Sequence, residues 1–430
     1  MQTISGFSKL TKNEKIAWLA NALPLESAEL VKKMTHFWHQ DEETQKKFDE
    51  FSENTLTNFD LPFGIAPNFI INEKVYAVPM VIEESSVVAA ASLAAKFWQT
   101  RGGFKARVLS TTKIGQVHLL WNGPSTDLIN IFNALKPELF EVVKPITQNM
   151  EVRGGGIKDI ELLDQTTKME NYYQIIVRAE TCNAMGANFI NSILEDVGRH
   201  FQNKVEQLAP EGNLEVIMCI LSNYTPECIV ESWVECPVDE LGQFANDMSA
   251  QDFARRFVTA VNIAQVDPYR AVTHNKGIMN GVDAVILATG NDFRAVEACA
   301  HSFASRDGQY RSLSKASVKD GIFKFSIKIP LAVGTVGGLT SLHPLAKTSL
   351  AILDNPSAQE LMMIVATTGL AQNFGAVKSL VTTGIQKGHM KLHLLNILNQ
   401  FNANENQVEE AKKHFAEKVV SYTAVRDFLH

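Results

Sequence analysis

The segment 267–281, DPYRAVTHNKGIMNG, is richer in polar residues and glycines than the apolar stretches on either side of it. The guanidinium of Arg270 could bind a carboxylate through two hydrogen bonds, and Thr273, Asn275 and Asn280 could supply directional hydrogen bonds. Lys276 could place a positive charge beside an oxygen that becomes negative during a reaction. This composition favours a ligand-binding loop, and a solvated loop that ends at the last glycine is the alternative.

The composition is that of a folded protein with a large core. The chain has 430 residues, of which 45% are hydrophobic and 20% charged. This length predicts about two or three structural units. The formal net charge is −7, so the surface offers no general attraction to nucleic acid or to an anionic membrane. An anionic ligand must therefore be held by local positive side chains.

No segment of the sequence predicts secretion or membrane insertion. The N-terminus has no basic region followed by an apolar stretch, and the longest run of small apolar residues, 87–95, is far shorter than the ~20 residues of a spanning helix. We therefore expect a cytoplasmic protein. The five cysteines are odd in number and include no CxxC pair, which predicts neither a disulfide framework nor a zinc site.

The order of the predicted elements indicates an α+β protein with an inserted unit. Residues 111–219 alternate as strand, helix, strand, strand, helix, strand, which is the order of a ferredoxin-like unit. We expect this small domain to interrupt a large domain of mixed helices and sheet that comprises residues 1–110 and 220–374. Helical patterns dominate residues 375–430, which we expect to form a C-terminal helical unit.

Several blocks of the sequence resemble those of the soluble, bacterial-type (class II) 3-hydroxy-3-methylglutaryl-CoA reductases. The longest block is DPYRAVTHNKGIMNGVDAVILATGNDFRAVEA (267–298). The others are LPFGIAPNF (61–69), VPMVIEESSVVAAAS (78–92), AMGANFIN (184–191), VGTVGGLTSLHPLA (333–346), GLAQNFGA (369–376) and IQKGHMKLH (385–393). The blocks keep the order of that family and span nearly the whole chain.

The resemblance implies reduction of a thioester to a primary alcohol by two hydride transfers from a nicotinamide cofactor, with mevalonate and free CoA as products. Lys276 matches the family's lysine, which stabilises the negative carbonyl oxygen, and Asp292 matches the carboxylate expected beside that lysine. Glu84 matches the acid that gives a proton to a substrate oxygen, whereas Glu83 is expected to be a solvated neighbour. His389 matches the general acid that protonates the departing thiolate.

The resemblance also assigns side chains that hold the substrate, 3-hydroxy-3-methylglutaryl-CoA. Arg270 is expected to bind its carboxylate. Polar support is expected from Ser86, Asn223, Asn280 and Gln372, together with Thr273 of the polar segment.

His393 stands four residues after His389, so the two share one face of a predicted helix. His393 is expected either to neighbour the substrate or to be a core histidine. No third metal ligand stands nearby, so we expect no metal site.

The family's cofactor signature, DAMG, reads Asn183-Ala184-Met185-Gly186 here and continues with Ala187 and Asn188. We expect Asn183 to cap the following helix as an aspartate would. We expect Gly186 to let a phosphate approach the amides at the helix start.

The choice between NADPH and NADH depends on the residue that faces the adenine ribose. Members that prefer NADH carry an aspartate a few residues before a glycine run, and alignment on Gly154–Gly156 places Thr147 there. With no acid at that position, and with Arg153 and Lys158 close in sequence, we expect NADPH, with NADH as the alternative.

The resemblance implies a homodimer whose site is assembled across the interface and whose C-terminal unit acts as a mobile flap. The large domain would bind the CoA thioester and the small domain the cofactor, with no nucleic-acid or membrane partner. Two other functions compete with this one. A non-catalytic thioester-binding paralogue is disfavoured because all four catalytic side chains are present, and a hydrolase is disfavoured by the cofactor helix and the absence of a nucleophile elbow.

Overall fold

The computed structural model describes residues 3–23, 27–244, 248–382, 394–395, 397–416, 418 and 420–429. The strands are β1 Phe63–Ile71, β2 Lys74–Val81, β3 Lys105–Thr111, β4 Lys113–Trp121, β5 Gly156–Asp164, β6 Tyr172–Glu180, β7 Leu214–Leu221, β8 Cys228–Pro237, β9 Ser314–Lys319 and β10 Ile322–Pro330.

The α-helices of these residues are α1 Lys12–Ala22, α2 Ser27–His36, α3 Glu42–Asp49, α4 Val87–Gln99, α5 Ser125–Val142, α6 Lys144–Glu151, α7 Ala187–Leu208, α8 Ala250–Val266, α9 Pro268–Ala288, α10 Phe293–Ala304, α11 Leu339–Leu342, α12 Pro344–Ile352 and α13 Ala358–Val381, followed by Glu405–His414 and Tyr422–Leu429. Two 3-10 helices are Phe7–Lys9 and Val238–Phe244. None of the helices in the described ranges is long and apolar enough to cross a membrane.

A four-stranded antiparallel sheet with the order β3-β8-β10-β9 forms the framework of the larger part of the chain. Helix α13 crosses this sheet and also contacts α4, α8 and α9, so apolar residues cover it on every side. The centre of this core is aromatic, where the rings of Trp98, Phe257, Phe323 and Phe374 contact one another. The hairpin β1-β2 packs against α4 and α9 at one side of this core.

The second sheet has the order β5-β6-β4-β7, and all of its pairs are antiparallel. In chain order the first and third strands lie at the centre, which is the arrangement of a ferredoxin-like unit. Helices α5 and α7 bury one face of the sheet in a separate hydrophobic core that includes Trp121, Leu139 and Phe201. The predicted α+β fold with an inserted ferredoxin-like unit is confirmed.

The prediction of a loop at 267–281 is wrong, because this segment is the first two thirds of helix α9. Asp267 caps the helix by accepting from the backbone nitrogens of Tyr269 and Arg270, and Pro268 occupies the first helical turn, where its missing N–H costs nothing. The polar residues of this segment therefore lie on a rigid element.

Helix α13 continues through Gly375 to Val381, so the expected start of a C-terminal unit at residue 375 falls inside a helix. We also expect flexible points of the C-terminal flap at Gly384 and Gly388, and both lie outside the described residues. Further along, Leu398, Ala411 and Val425 belong to a small hydrophobic cluster of their own. We therefore propose that the C-terminal unit begins after Val381 rather than at Gly375.

The substitution Gly281→Ala is expected to destabilise the protein, because α9 and α13 touch at this position. A β-carbon on Gly281 would lie 2.7 Å from the carbonyl oxygen of Thr368 and 2.8 Å from Cβ of Gln372. Relieving this overlap should cost about 1–3 kcal/mol. The midpoint of urea unfolding measures the loss.

The matched control is Gly277→Ala, one turn earlier in α9. There the nearest neighbour of an added β-carbon is Cβ of Ala376 at 3.8 Å. Alanine should therefore be neutral or raise stability by up to about 1 kcal/mol, because glycine is a poor helix former. Equal unfolding midpoints for the two variants would contradict the close contact.

Candidate active site

The loop between β2 and α4 presents the first candidate residues. Ser86 is the N-cap of α4 and has a φ of 73°, in the left-handed region that residues other than glycine rarely adopt. The two glutamates before it differ, since Glu83 is exposed whereas Glu84 is partly buried and contacts α9. The loop thus directs a single carboxylate at the helix.

Three side chains meet where this loop faces α9. The ammonium of Lys276 and Nδ2 of Asn280 both donate to Oε2 of Glu84, the second over 3.2 Å. Lys276 and Asn280 share a helix face because they are four residues apart. The side chains of Lys276 and Glu84 are 60% and 38% exposed, so a ligand can reach both. Within the described residues, the second carboxylate oxygen of Glu84 is left for such a ligand.

Within the described residues, Asp292 forms no ion pair with Lys276, the side chain that it was expected to accompany. It caps α10, where Oδ1 accepts from the backbone nitrogens of Arg294 and Ala295 at 3.0 and 3.3 Å. Its Oδ2 accepts from the Arg294 guanidinium at 3.1 Å. Among the residues described, the carboxylate paired with Lys276 is therefore Glu84. The open amides at the start of α10 account for the position of Asp292.

The side of α9 that faces the core holds a polar network. Ser314 Oγ donates to Oδ1 of Asn373 at 2.8 Å and accepts from Nε2 of His274 at 2.7 Å, which places the proton of the neutral imidazole on Nε2. Burial, with a smaller contribution from the charge of Arg270, lowers the pKa of His274 to about 3. His274 is therefore a neutral structural residue. Asn275 is also structural, because its side chain binds Arg311 and Leu313.

Two polar side chains, one in α9 and one packed against it, have unused hydrogen-bonding capacity. The guanidinium of Arg270 is partly buried, which lowers its pKa, and no carboxylate of the described residues forms an ion pair with it. The Oε1 atom of Gln372 is buried without a partner in the same set of residues. Gln372 lies against α9 at Gly281, next to Asn280. Both groups are suitable for binding a polar or anionic ligand.

Sequence analysis missed an acidic pair behind the site. Asp283 lies seven residues after Lys276, on the same face of α9. Burial, followed by the hydrogen bond and the charge of Glu297, raises the pKa of Asp283 to about 8. At neutral pH this carboxyl therefore keeps a proton beside Glu297. Helical spacing from Lys276 could have indicated Asp283, but the surrounding sequence VDAVILA reads as an ordinary apolar helix.

The other predicted substrate residues are less closely grouped. The hydroxyl of Thr273 donates to the carbonyl of Tyr269 in its own helix at 3.2 Å, so its donor is already used. Asn223 is exposed and lines a small cavity with Met185. His389 and His393 lie outside the described residues. In the described part of the chain, no three His, Cys, Asp or Glu side chains are grouped to hold a metal ion.

The turn 181–186 precedes α7 and has the features of a phosphate-binding site. Gly186 caps the helix with a φ of 93°, and a β-carbon there would lie 2.4 Å from Cγ2 of Thr181, so only glycine fits. The amides of Ala187 and Asn188 lie in the first turn of this 22-residue helix, at its positive end. Gly334 approaches so closely that a β-carbon on it would lie 2.6 Å from the backbone nitrogen of Met185.

Gly334 also connects this turn to the start of α10. Its backbone nitrogen donates to Oδ1 of Asn291 at 2.8 Å, and Asn291 directly precedes Asp292. The next residue, Thr335, donates its backbone nitrogen to the carbonyl of Asn183 at 2.9 Å. The turn 181–186 and the segment that contains Asp292 are thereby joined through two consecutive backbone amides.

The expectation that Asn183 caps α7 is wrong, because Gly186 is the cap of that helix. The side chain of Asn183 instead accepts from the backbone nitrogen of Ala358, in the first turn of α13, over 2.9 Å. An aspartate or an asparagine can make this contact equally well, since only the oxygen is needed.

Thr147 is not placed to contact a ribose. Its side chain is buried in α6, and its hydroxyl donates to Oε1 of Glu151 at 2.6 Å. The exposed polar groups beside the glycine run are Glu151, Arg153 and Lys158, and the ammonium of Lys158 pairs with Glu180 at 3.4 Å. The backbone carbonyl of Arg153 accepts from the Cys182 thiol at 3.3 Å, so this segment lies against the turn 181–186.

The raised pKa of Asp283 predicts a specific pH dependence of stability. Between about pH 4 and pH 8 the unfolded chain releases this proton while the folded protein keeps it, so folding becomes less favourable as the pH rises. Asp283→Asn removes this cost. The variant should therefore gain stability relative to the unsubstituted protein from pH 5 to pH 8, measured by urea unfolding at both values.

Asp252→Asn is the control. Hydrogen bonds from Ser249 and Arg255 lower the pKa of Asp252, so its stabilising contribution is present above about pH 4 and lost below it. Its replacement should therefore not produce the gain expected at position 283. A stability difference for Asp283→Asn that is the same at both pH values would contradict the buried acid pair.

Comparison with known proteins agrees with these motifs. The sequence model of the hydroxymethylglutaryl-coenzyme A reductase family matches residues 13–394. The 3-hydroxy-3-methylglutaryl-coenzyme A reductase of Archaeoglobus fulgidus is 37% identical over 416 residues, which cover 95% of this chain and 86% of the relative. These two matches extend over both sheets and the segment that contains Lys276.

Solved structures of Streptococcus pneumoniae enzymes share the fold. One 3-hydroxy-3-methylglutaryl-coenzyme A reductase is 35% identical, with a TM-score of 0.74, and the match covers 100% of this chain and 99% of that one. A class II reductase of the same organism, bound to NADPH in open conformations, is 37% identical with a TM-score of 0.72, and the match covers 89% of this chain and 100% of that one. The chain described here belongs to the hydroxymethylglutaryl-coenzyme A reductase family.

Proposed function

We propose that this protein reduces 3-hydroxy-3-methylglutaryl-CoA to mevalonate and free CoA. The observation that carries the proposal is the convergence of Lys276 and Asn280 on Glu84 within sequence blocks of this family. An ammonium, an amide and a carboxyl at one point can hold a carbonyl oxygen, stabilise negative charge on it and deliver a proton to it. A non-catalytic binding protein has no need of this combination.

In this proposal each catalytic side chain acts on one atom of the substrate. Lys276 stabilises the oxygen that becomes negative as the carbonyl carbon is reduced, and Glu84 in its protonated form donates to that oxygen. His389 protonates the thiolate that leaves when the hemithioacetal collapses. Asp292 acts from the cap of α10, next to Asn291, whose side chain accepts from the backbone nitrogen of Gly334.

We assign the substrate carboxylate to Arg270, because a partly buried guanidinium without an ion-pair partner in the described residues favours an anion. Gln372 can accept a hydrogen bond from a substrate hydroxyl through Oε1, which has no partner among the described residues. We assign supporting polar contacts to Ser86, Asn223, Thr273 and His393. The residues around α9 thus hold the acyl part of the thioester in the large domain.

The cofactor belongs to the small domain in this proposal. When bound, NADPH supplies the hydride for both reductions. The turn formed by Asn183, Ala184, Met185 and Gly186 fits a pyrophosphate, because Gly186 exposes the positive end of α7 and Gly334 allows close backbone approach. Ala187 and Asn188 would donate their amides to it.

We also propose that the protein is a cytoplasmic homodimer with no nucleic-acid or membrane partner. Apolar side chains are exposed where α8 meets α9, and a subunit interface would bury them. They are Ile263, Val266, Tyr269 and Val272.

The purified protein is expected to oxidise two molecules of NADPH for each molecule of 3-hydroxy-3-methylglutaryl-CoA consumed. Lys276→Ala should lower kcat by about 10²–10³-fold, because removing one donor to a developing oxyanion has this effect. Lys96→Ala, in which an exposed lysine of α4 is removed, should leave kcat unchanged. Loss of NADPH absorbance measures cofactor oxidation, and a thiol assay measures the release of CoA in the same reaction.

The same measurement separates the alternatives. Release of thiol without oxidation of NADPH would indicate a hydrolase and contradict the proposal. No reaction with either readout, together with binding of the thioester, would indicate a non-catalytic paralogue.

NADPH is the proposed cofactor in preference to NADH. Arg153 is exposed beside the cofactor turn, and a guanidinium at that place can bind a 2′-phosphate bidentately. Glu151 opposes it, because a carboxylate would accept from a free ribose hydroxyl and repel a phosphate. The balance of these two side chains therefore takes the role that sequence analysis gave to position 147.

Arg153→Ala is expected to lower kcat/KM with NADPH by about 10–100-fold, the loss of one strong charge-assisted contact, and to change kcat/KM with NADH much less. Arg199→Ala is the control, because this exposed arginine of α7 pairs with Asp196 on the same helix. A wild-type preference for NADH, or equal losses with both cofactors, would contradict the assignment.

A further inference from the structure

Lys113, at the start of β4, is a buried cation in the immediate surroundings of the cofactor turn. Its side chain is almost wholly buried, with the residue 4% exposed. The ammonium donates to Oγ1 of Thr181 at 2.6 Å and to the carbonyl of Ala184 at 3.4 Å. Both partners are neutral. Within the described residues, no carboxylate forms an ion pair with Lys113.

Strand β4 pairs with β6, and the acidic side chain at the end of β6, Glu180, already has other hydrogen-bond partners. Glu180 accepts from the backbone nitrogen of Cys182 at 2.9 Å, from the hydroxyl of Thr111 and from Lys158 at 3.4 Å. A buried ammonium with only neutral partners is costly, whereas a neutral side chain could make the same hydrogen bonds at lower cost. An anion bound at the adjacent turn would offset this cost, because charges interact strongly in a weakly polar interior.

The contacts of Lys113 also reach the end of α7. Thr181 receives the ammonium and in turn donates to the carbonyl of Ala184 at 2.6 Å. Its methyl group is so close to Gly186 that a β-carbon there would lie 2.4 Å away. Lys113 further lines a small cavity between Met185 and Asn223. A displacement of Lys113 would therefore be transmitted to the helix cap.

We propose that Lys113 is a positioning residue for the pyrophosphate of the nicotinamide cofactor. It holds Thr181 against Gly186, which keeps the amides of α7 directed at the phosphates, and it places a buried positive charge behind the turn. This inference rests on the proposed cofactor site. The inference adds Lys113 of β4 to that site, a residue that lies outside the motif 183–186.

The experiment compares Lys113→Met, Lys113→Gln and Lys204→Met. Lys204 is the matched control because it lies in α7 and pairs with Glu138 through its ammonium. Binding is followed by the fluorescence of NADPH, and steady-state kinetics give KM for each substrate. Lys113→Met should weaken NADPH binding by about 10-fold or more, the effect of losing a charged hydrogen bond, with KM for the thioester unchanged.

Lys113→Gln keeps a donor but loses the charge, so it should bind NADPH more weakly than the wild type and more tightly than Lys113→Met. Thermal unfolding of both variants without cofactor should match or exceed the wild type, because the uncompensated charge is gone. Adding Thr181→Val to Lys113→Met should weaken binding little further, since the two residues act as one unit.

Wild-type affinity for NADPH in either Lys113 variant would overturn the inference and leave the proposed function intact. An equal rise in both KM values together with a lower unfolding temperature would also overturn it, because it would indicate a purely structural lysine. Failure of the wild-type protein to bind NADPH would contradict both the proposed function and the inference.

Discussion

The contact between Glu84 and Lys276 joins parts of the chain that are 192 residues apart, and its geometry depends on where α9 lies. That position is set by α13. Gly281 lies against the backbone of Thr368, and Gly369 lies against Val282, with no room for a β-carbon at either place. Gly281 and Gly369, on facing helices, thus fix the position of Lys276 along the axis of α9 relative to the loop that carries Glu84. The geometry of the Glu84–Lys276 contact is in this sense a property of core packing.

A second set of contacts joins the turn 181–186 to the start of α10. Gly334 and Thr335 bind Asn291 and Asn183 through consecutive backbone amides. The contact of Thr335 is with the main-chain carbonyl of Asn183, and that of Gly334 is with the side-chain oxygen of Asn291. The side chain of Asn183 then continues the connection to the first turn of α13. Helix α13, which positions α9, is therefore also in contact with the turn 181–186.

The ferredoxin-like unit can be predicted from the sequence because each of its strands and helices shows its own hydrophobic period over enough residues. Helix α9 was harder to predict, since Gly277 and Gly281 each lower helix propensity by about 1 kcal/mol and the polar side chains disguise its amphipathic pattern. Asp267 followed by Pro268 is a typical helix start, but the polar composition and the glycines after it favour a loop. The pairing of Glu84 with Lys276 cannot be deduced from spacing, and neither can the contact of Asn183 with α13, because tertiary packing decides both.

The order of pairing at the junction of the two sheets has a topological consequence. Thr111 at the end of β3 pairs with Cys228 at the start of β8, and Gly115 of β4 pairs with Leu221 of β7. The chain therefore leaves the large sheet and returns to it at neighbouring points. Because both crossings run side by side, two short adjacent segments connect the ferredoxin-like unit to the large sheet. The two ends of the unit are therefore close together, which is the geometry that allows one domain to be inserted into another without rerouting the rest of the polypeptide.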